Sequence, residues 1–348
     1  MATGALIEEL AHWTRAVFAA ERVPARDASI VAENLAYAER RGIRSHGFIR
    51  LPIYIERIRA GGIVADARPA VMHRQGSAAV VDCADGPGAV GAMFASELAG
   101  QIASDAGIAL VAAYNANHFG AAGFYAQALA DRGLLGVVLS NSDAAMAPPG
   151  GGKPVLGTNP IAVGVPASGE LTPLLDMATT NVAYGKLIVA AQSDAPIPLD
   201  WAVDANGQPT SDAKSGLSGA LLPMGGPKGF GLAFMIDVFS ALGGAHVSPD
   251  VHPLYGERSI PQKLGFSVIV VNPGLLGGAE PFSSRMERLI GAVHTAGRED
   301  APAPMIPGEP EQRQEREANG QLWLSDEEVA DLGVLAEAYR LPLPFTVS

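Results

Sequence analysis

The chain has 348 residues, 48% of them hydrophobic and 17% charged, enough apolar material for two or three domains and too much for a disordered chain. Its formal net charge of −12 excludes a nucleic-acid surface, which needs clustered cations to displace counterions. Any anionic ligand must therefore be held by a local group of donors working against the global field.

The N-terminal stretch carries Glu8 and Glu9, with no basic run leading into an apolar one, so no signal peptide is expected. The segment DASIVAENLAYAERRG predicts a helix capped by Asp27 and closing on basic residues before Gly42. Residues 43 to 54, IRSHGFIRLPIY, place His46, Arg50 and Tyr54 at steps of four. On a continuous helix the three would form one stripe, solvated if the helix is amphipathic. Pro52 opposes that geometry. It predicts Ser45, His46 and Gly47 in a turn, a helix starting near Leu51, and side chains that converge on a cleft.

The middle of the chain changes character. AAVVDC, IALVAAY, LLGVVLSNS and PIAVGVPA are β-rich runs separated by turns. GAMFASELAGQIASDAG and AAGFYAQALADRG read as helices between them, and the alternation predicts an α/β core. Cys83, the single cysteine, lies in the first run. It allows no internal disulfide or thiolate metal site and is expected in the core. Residues 196 to 210 are turn-rich. FGLAFMIDVFSALGG is apolar over most of its circumference and is expected to be a helix buried on all sides. It is interrupted by Asp237 and too short to span a bilayer, so a cytoplasmic protein without membrane contact is expected. FSVIVVNP is a further strand. Residues 299 to 318, rich in Pro, Glu, Gln and Arg, predict an extended surface crossing. SDEEVADLGVLAEAY then predicts a terminal helix with Ser325 and Glu328 in capping-box spacing, docked through Val329, Leu332 and Leu335.

Two glycine-rich stretches imitate nucleotide motifs. Gly86, Gly88 and Gly91 match the dinucleotide fingerprint in spacing. Pro87, however, removes a backbone donor from the loop, and the next strand ends in asparagines with no acid for a ribose. A strand–turn–helix corner is the expectation. PGGGKP around Lys153 lacks the leading glycine and the trailing hydroxyl of a phosphate loop, holding Ala147 and Pro154 instead.

Four segments can carry chemistry. NANHFGAAGFY sets His118 at a strand end before small residues, a place suited to a catalytic base or to a structural turn. MGGPKGFG surrounds Lys228 with glycines at a helix start. A cation opposes the macrodipole there unless an anion is bound; otherwise the segment is a flexible loop. LLDMATT ends a strand on Asp176 followed by hydroxyl residues, with Lys186 in the next helix, and SNSD ends another. The remaining histidines, His12, His73, His246, His252 and His294, have no ligand spacing, so no metal is expected.

Taken in order, SHGFIRLPIYIERIRAGGI, NHFGAAGFY, GTNPIAVGVP, DMATT with a following GK, IPLDWAVDANGQPT and GGPKGFGLAFMIDV resemble the malate/L-lactate/ureidoglycolate dehydrogenase family over about residues 5 to 290. Its relatives include sulfolactate dehydrogenases and cyclic imino acid reductases. The resemblance implies a non-Rossmann, mixed-sheet nicotinamide-binding domain over 73–289 with a small inserted region. A helical domain would be formed by both chain ends, 1–72 and 290–348. It implies a homodimer, NAD or NADP as cofactor, and a small anionic 2-hydroxy or 2-oxo acid as substrate. His118 matches the proton-transfer histidine, and Ser45, His46, Arg50 and Tyr54 the substrate motif. Gly120, Ser142, Asp176, Met177, Ala178, Lys186 and Lys228 match cofactor contacts. HVSPDVHPLYGERSIPQ and the region of Arg285 have no confident match. The absence of an arginine cluster for a 2′-phosphate leans the cofactor to NAD. Two other readings stay open: a reductase of cyclic imine carboxylates, and a nucleotide-binding homologue without catalysis.

Overall fold

The computed structural model describes residues 3–277 and 281–346. The chain begins with β1 (Thr3–Leu6), α1 (Ile7–Ala20) and α2 (Ala25–Arg40). Two 3₁₀ turns, Arg44–His46 and Phe48–Arg50, lead into α3 (Leu51–Ala60). The central part runs β2 (Ala70–Gln75), β3 (Ala78–Asp82), α4 (Gly88–Ala106), β4 (Ile108–Ala116), α5 (Gly123–Ala130), β5 (Leu135–Ser140), β6 (Ile161–Gly164) and β7 (Leu174–Met177). A smaller unit follows: α6 (Tyr184–Gln192), β8 (Ala202–Val203), α7 (Ala213–Leu217) and β9 (Ala220–Leu221). The chain closes with α8 (Pro227–Ala241), β10 (Leu264–Val271), α9 (Phe282–Thr295), α10 (Glu309–Ala318), β11 (Gln321–Leu324) and α11 (Asp326–Tyr339).

The main sheet has seven strands in the order β2-β3-β4-β10-β5-β6-β7. Only the β3–β4 pair is parallel; β10 runs antiparallel to both β4 and β5. This is a mixed α/β sheet without the Rossmann order. The register decides where a ligand can sit. Asp82 pairs with Tyr114, Leu264 with Ala116, Phe266 with Ser140, and Met177 with Ile161. The carboxyl ends of β3, β4, β5 and β7 therefore meet at one edge of the sheet.

Both faces of the sheet are covered. Successive residues of β10 point to opposite sides. Phe266 meets Phe119, centroids 5.6 Å apart, on the α5 side. Ser267 donates to Phe239 O of α8 at 2.6 Å on the other. Along α4, Ala92, Ala95, Ala99 and Ala103 are fully buried, a small-residue stripe that lets the helix lie close to its neighbours. β11 pairs antiparallel with β1, and α11 packs on α1 and α3. The capping box at Ser325 and Glu328 is formed in both directions, and Leu332 and Leu335 are buried.

The strand segments, the Leu51 helix start and the docked terminal helix match expectation. Three expectations are corrected. Asp27 is not the N-cap of α2, because Pro24 occupies that place with an extended ψ; Asp27 lies buried in the first turn, where its charge suits the helix dipole. Residues 309–318 are not extended but form α10, with Pro310 in its first turn and Asn319 closing it at positive φ. Proline is favoured at a helix start, and a composition reading misses that. The α8 helix is not buried on all sides. Its inward face carries Gly229, Ala233, Ile236, Asp237 and Ser240, all buried, while Phe234, Met235 and Val238, with Leu242 just past its end, are each 43–54% exposed.

Candidate active site

The site is built where the β4 carboxyl end meets the 3₁₀ turns before α3. After Ala116 the chain turns at Asn117, which is fully buried. Its Nδ2 donates to Asp85 O at 2.9 Å and to Gly86 O at 3.1 Å. A Cβ on Gly88 would lie 2.1 Å from Asn117 O, and one on Gly91 2.6 Å from Cys83 Sγ. The glycines of that corner thus serve close packing against the β4 turn, as expected of a strand–turn–helix corner. His118 follows, its backbone N donating to Gln262 Oε1 at 2.9 Å. Tyr54 Oη lies 2.6 Å from its Nδ1, and the His46 ring stacks on it at 5.5 Å between centroids.

The 3₁₀ turns are held from below. Glu39 Oε1 accepts from Phe48 N at 2.9 Å. A Cβ at position 47 would meet that same oxygen at 1.9 Å, so Gly47 lets the Glu39 side chain lie against the turn as it does. Arg50 Nε donates to Ser45 O at 2.6 Å and Nη1 to Tyr255 Oη at 2.6 Å. Two of its donors are therefore spent on holding it still, and the others remain for a ligand. Ser45 Oγ lies 2.9 Å from His46 Nδ1.

Burial and the nearby Arg50 charge hold both histidines neutral. His46 is pushed down to about 3 by burial first and Arg50 second. His118 falls well below the ordinary imidazole value through burial, Arg50 and His46, in that order. Burial raises the Tyr54 phenol, so it stays protonated at neutral pH.

These groups open on a cavity of about 1080 Å³, above the roughly 300–1,000 Å³ of common small-ligand sites. His118, Ser45, His46, Arg50, Gly120, Ser142, Asp176, Met177 and Ala178 all line it. Tyr54 stands behind His118. Asp176 accepts from Gly123 N at 2.8 Å; burial lifts its carboxyl to about 6 against that bond. On the same wall Tyr37 Oη and Arg41 Nη1 are buried without a hydrogen-bond partner among the described residues. Such atoms fit a polar ligand that brings its own partners.

Lys186 and Lys228 are exposed and lie outside this lining. The turn before Lys228 is tied to the cavity wall, since Met224 N donates to Thr179 O at 2.9 Å, beside Ala178. Arg285 lies on α9. Sequence reasoning missed Tyr255, Gln262, Tyr37 and Arg41, and saw Asp143 only within the polar strand end SNSD. The first two sit in the 246–262 region that matched nothing; its apolar and aromatic residues beside prolines were the one available signal. Among the described residues no three metal-ligating side chains cluster and no helix is long and apolar enough to cross a membrane.

A family model described as malate/L-lactate dehydrogenase matches residues 6–332. The chain is 37% identical over 291 residues to L-sulfolactate dehydrogenase of Methanocaldococcus jannaschii, covering 84% of each. It is 35% identical over 297 residues to an Escherichia coli protein named ureidoglycolate dehydrogenase (NAD(+)), covering 84% of this chain and 83% of that one. The solved structure of the Methanocaldococcus jannaschii sulfolactate dehydrogenase superposes with a TM-score of 0.91 at 33% identity, covering 98% of both chains.

Proposed function

This chain belongs to the malate/L-lactate dehydrogenase family, and from that premise we propose that it moves a hydride between a nicotinamide cofactor and C2 of a small 2-hydroxy or 2-oxo acid. It is an oxidoreductase, as its dehydrogenase relatives are. One juxtaposition carries the reading of the site: a neutral imidazole, His118, and a fixed guanidinium, Arg50, share one cavity wall.

A nicotinamide cofactor, when bound, accepts or returns the hydride of C2. The chain's own groups do the rest. Arg50 holds the substrate carboxylate through the N–H groups left free by Ser45 and Tyr255. His118 takes the hydroxyl proton in oxidation and gives it back in reduction. Base action needs the tautomer with the proton on Nδ1, donated to Tyr54 Oη in place of the long 3.4 Å bond that Nδ1 accepts from Gly120 N, so that Nε2 is the acceptor. The arriving carboxylate offsets the Arg50 field that depresses His118, raising its basicity when the proton must move. His46 and Ser45 orient the remainder of the substrate.

Gly120, Ser142, Asp176, Met177 and Ala178 are the residues that would hold the cofactor, with Lys186 and Lys228 as rim contacts to its phosphates. NAD is favoured over NADP. Among the described residues no lysine lines the cavity, and Arg41, tied to Glu315 at 3.2 Å, has its Nη1 alone left over, which leaves little for a 2′-phosphate. A homodimer is part of the proposal, supported by the exposed apolar side of α8.

The test is a panel of pyruvate, oxaloacetate, oxalurate, sulfopyruvate and a cyclic imine carboxylate, each with NADH and NADPH, followed by the absorbance of the reduced nicotinamide. Turnover of a 2-oxo acid, faster with NADH, is expected. Turnover of the cyclic imine alone, or cofactor binding without turnover, would give the reading up.

A further inference from the structure

The segment 251–263 contains no helix or strand, yet it lines the cavity with Pro253, Leu254, Tyr255 and Gln262. Its carbonyls have no ladder to join and must find donors elsewhere. One side chain on α3 supplies three of them. Arg57 Nη1 donates to Leu254 O at 3.1 Å and to Glu257 O at 3.4 Å, and Nη2 donates to Ile260 O. Arg57 is fully buried. Among the described residues no carboxylate acts on it, and burial and the Arg258 charge both work against its own charge. A cation kept in such a place without a counter-ion is held by what it bonds, here three carbonyls of one loop.

The rest of the packing agrees. A Cβ on Gly62 would lie 2.1 Å from Arg258 O, so the chain just past α3 leaves room for the loop to come close. On the outer side Arg258 closes a second clasp, its Nη1 donating to Gly256 O at 2.6 Å and its Nε to Glu56 Oε2 at 2.9 Å.

What the loop delivers is Tyr255. Arg50 caps the start of α3 and Arg57 stands in its last turn, seven residues on and on the same side. Arg57 grips the carbonyl just before Tyr255, and Tyr255 Oη accepts from Arg50 Nη1 at 2.6 Å. A phenol oxygen that accepts one bond still has its O–H to give. That O–H and the free N–H groups of Arg50 therefore lie side by side on the cavity wall. We propose that Tyr255 is a further substrate-binding residue, donating its O–H to the carboxylate that Arg50 holds, and that Arg57 is the positioning residue that sets it there through the 254–260 loop. The proposal rests on the reading of Arg50 as the carboxylate binder.

The experiment takes the 2-oxo acid that the enzyme turns over and compares the wild type, Tyr255→Phe, Arg57→Lys and the double variant, with cofactor Kd measured by fluorescence titration. Tyr255→Phe should raise KM for the acid about tenfold, the usual effect of losing a hydrogen bond to a charged group, with cofactor Kd unchanged. Arg57→Lys keeps the cation but lacks the planar fork that spans the loop. It should raise the same KM, again with cofactor Kd unchanged. Because one residue acts through the other, the KM of the double variant should stay near that of the worse single variant. Effects that multiply in the double variant, or a KM that neither single variant moves while Arg50→Lys does, overturn the inference and leave the Arg50 reading standing. A KM that no variant moves, Arg50→Lys included, removes both. If Arg57→Lys does not fold, Arg258→Met, which frees Gly256 O from the outer side, takes its place with the same expected result.

Discussion

Tyr54 Oη and His118 Nδ1 lie 2.6 Å apart, joining α3 to the β4 turn across 64 residues of sequence. The phenol keeps its proton and fixes which imidazole nitrogen is left for the substrate. His118→Ala should lower turnover by about two to four orders of magnitude, the usual contribution of a positioned acid–base group. Tyr54→Phe keeps the ring and loses the bond, so a smaller loss, about one order of magnitude, is expected. Steady-state kinetics with both substrates varied, alongside cofactor titration, checks that cofactor affinity is retained in each.

Arg50 is held by Ser45 O and Tyr255 Oη, a geometry that lysine cannot reproduce because it lacks the planar fork. Arg50→Lys should raise KM for the 2-oxo acid and lower kcat with cofactor binding intact. If Arg50→Lys and Arg50→Ala both leave these parameters untouched, the arginine plays no part in binding.

The same arginine predicts a pH effect. Its charge lowers the His118 value, so Arg50→Gln should raise it. Oxidation needs the neutral imidazole and fails as pH falls through this value; reduction needs the imidazolium and fails as pH rises through it. In Arg50→Gln the acid limb of the oxidation profile should therefore begin at higher pH, and reduction should persist to higher pH. A profile shifted the opposite way, or not at all, would show that Arg50 does not act on His118.

Glu39 supports the turn that carries Ser45 to Arg50. Its Oε1 takes the Phe48 N–H, but Oε2 is buried without a hydrogen-bond partner among the described residues, and burial lifts the carboxyl from 4.5 to about 7. A folded value above the unfolded one means that this contribution to stability is complete below the unfolded value and is lost as pH rises through about 7. Asp176, lifted to about 6, acts in the same direction; His46, pushed down to about 3, acts in the opposite one, its share being lost as pH falls below the ordinary imidazole value. Glu39→Gln keeps an acceptor for Phe48 N and cannot ionise. Its Tm should fall less than that of the wild type between pH 5 and 8. Parallel Tm curves would contradict the assignment.

Lys228 is exposed on the first turn of α8, so its contribution to cofactor binding should be modest and screened by salt. Lys228→Ala is expected to raise the cofactor Kd at low salt, by fluorescence titration, and to have little effect at high salt. An unchanged Kd at low salt would make it a surface lysine.

What the sequence made legible was local. Pro52 announced that His46, Arg50 and Tyr54 could not form one helical stripe, and the two 3₁₀ turns before Leu51 follow from that. The β-rich runs identified their strands because each is short, apolar and bounded by turns. Pairings made across long stretches of chain left no local mark: Arg50 with Tyr255 spans 205 residues and His118 with Gln262 spans 144. Asp143 was seen only as a polar strand end, since its place on the cavity wall depends on elements far off in the chain. The α8 helix misled for a different reason. An apolar circumference shows that surface must be covered, and does not say whether the cover is the chain's own core.

The most direct measurement follows the hydride itself. The 2-oxo acid that the enzyme accepts is reduced with a nicotinamide carrying deuterium at its transferable position, and the product is examined by mass spectrometry and proton resonance. Deuterium at C2 of the hydroxy acid, lost together with turnover in His118→Ala, is the predicted result. Product without deuterium at C2, or labelled product formed at the wild-type rate by His118→Ala, would contradict the account.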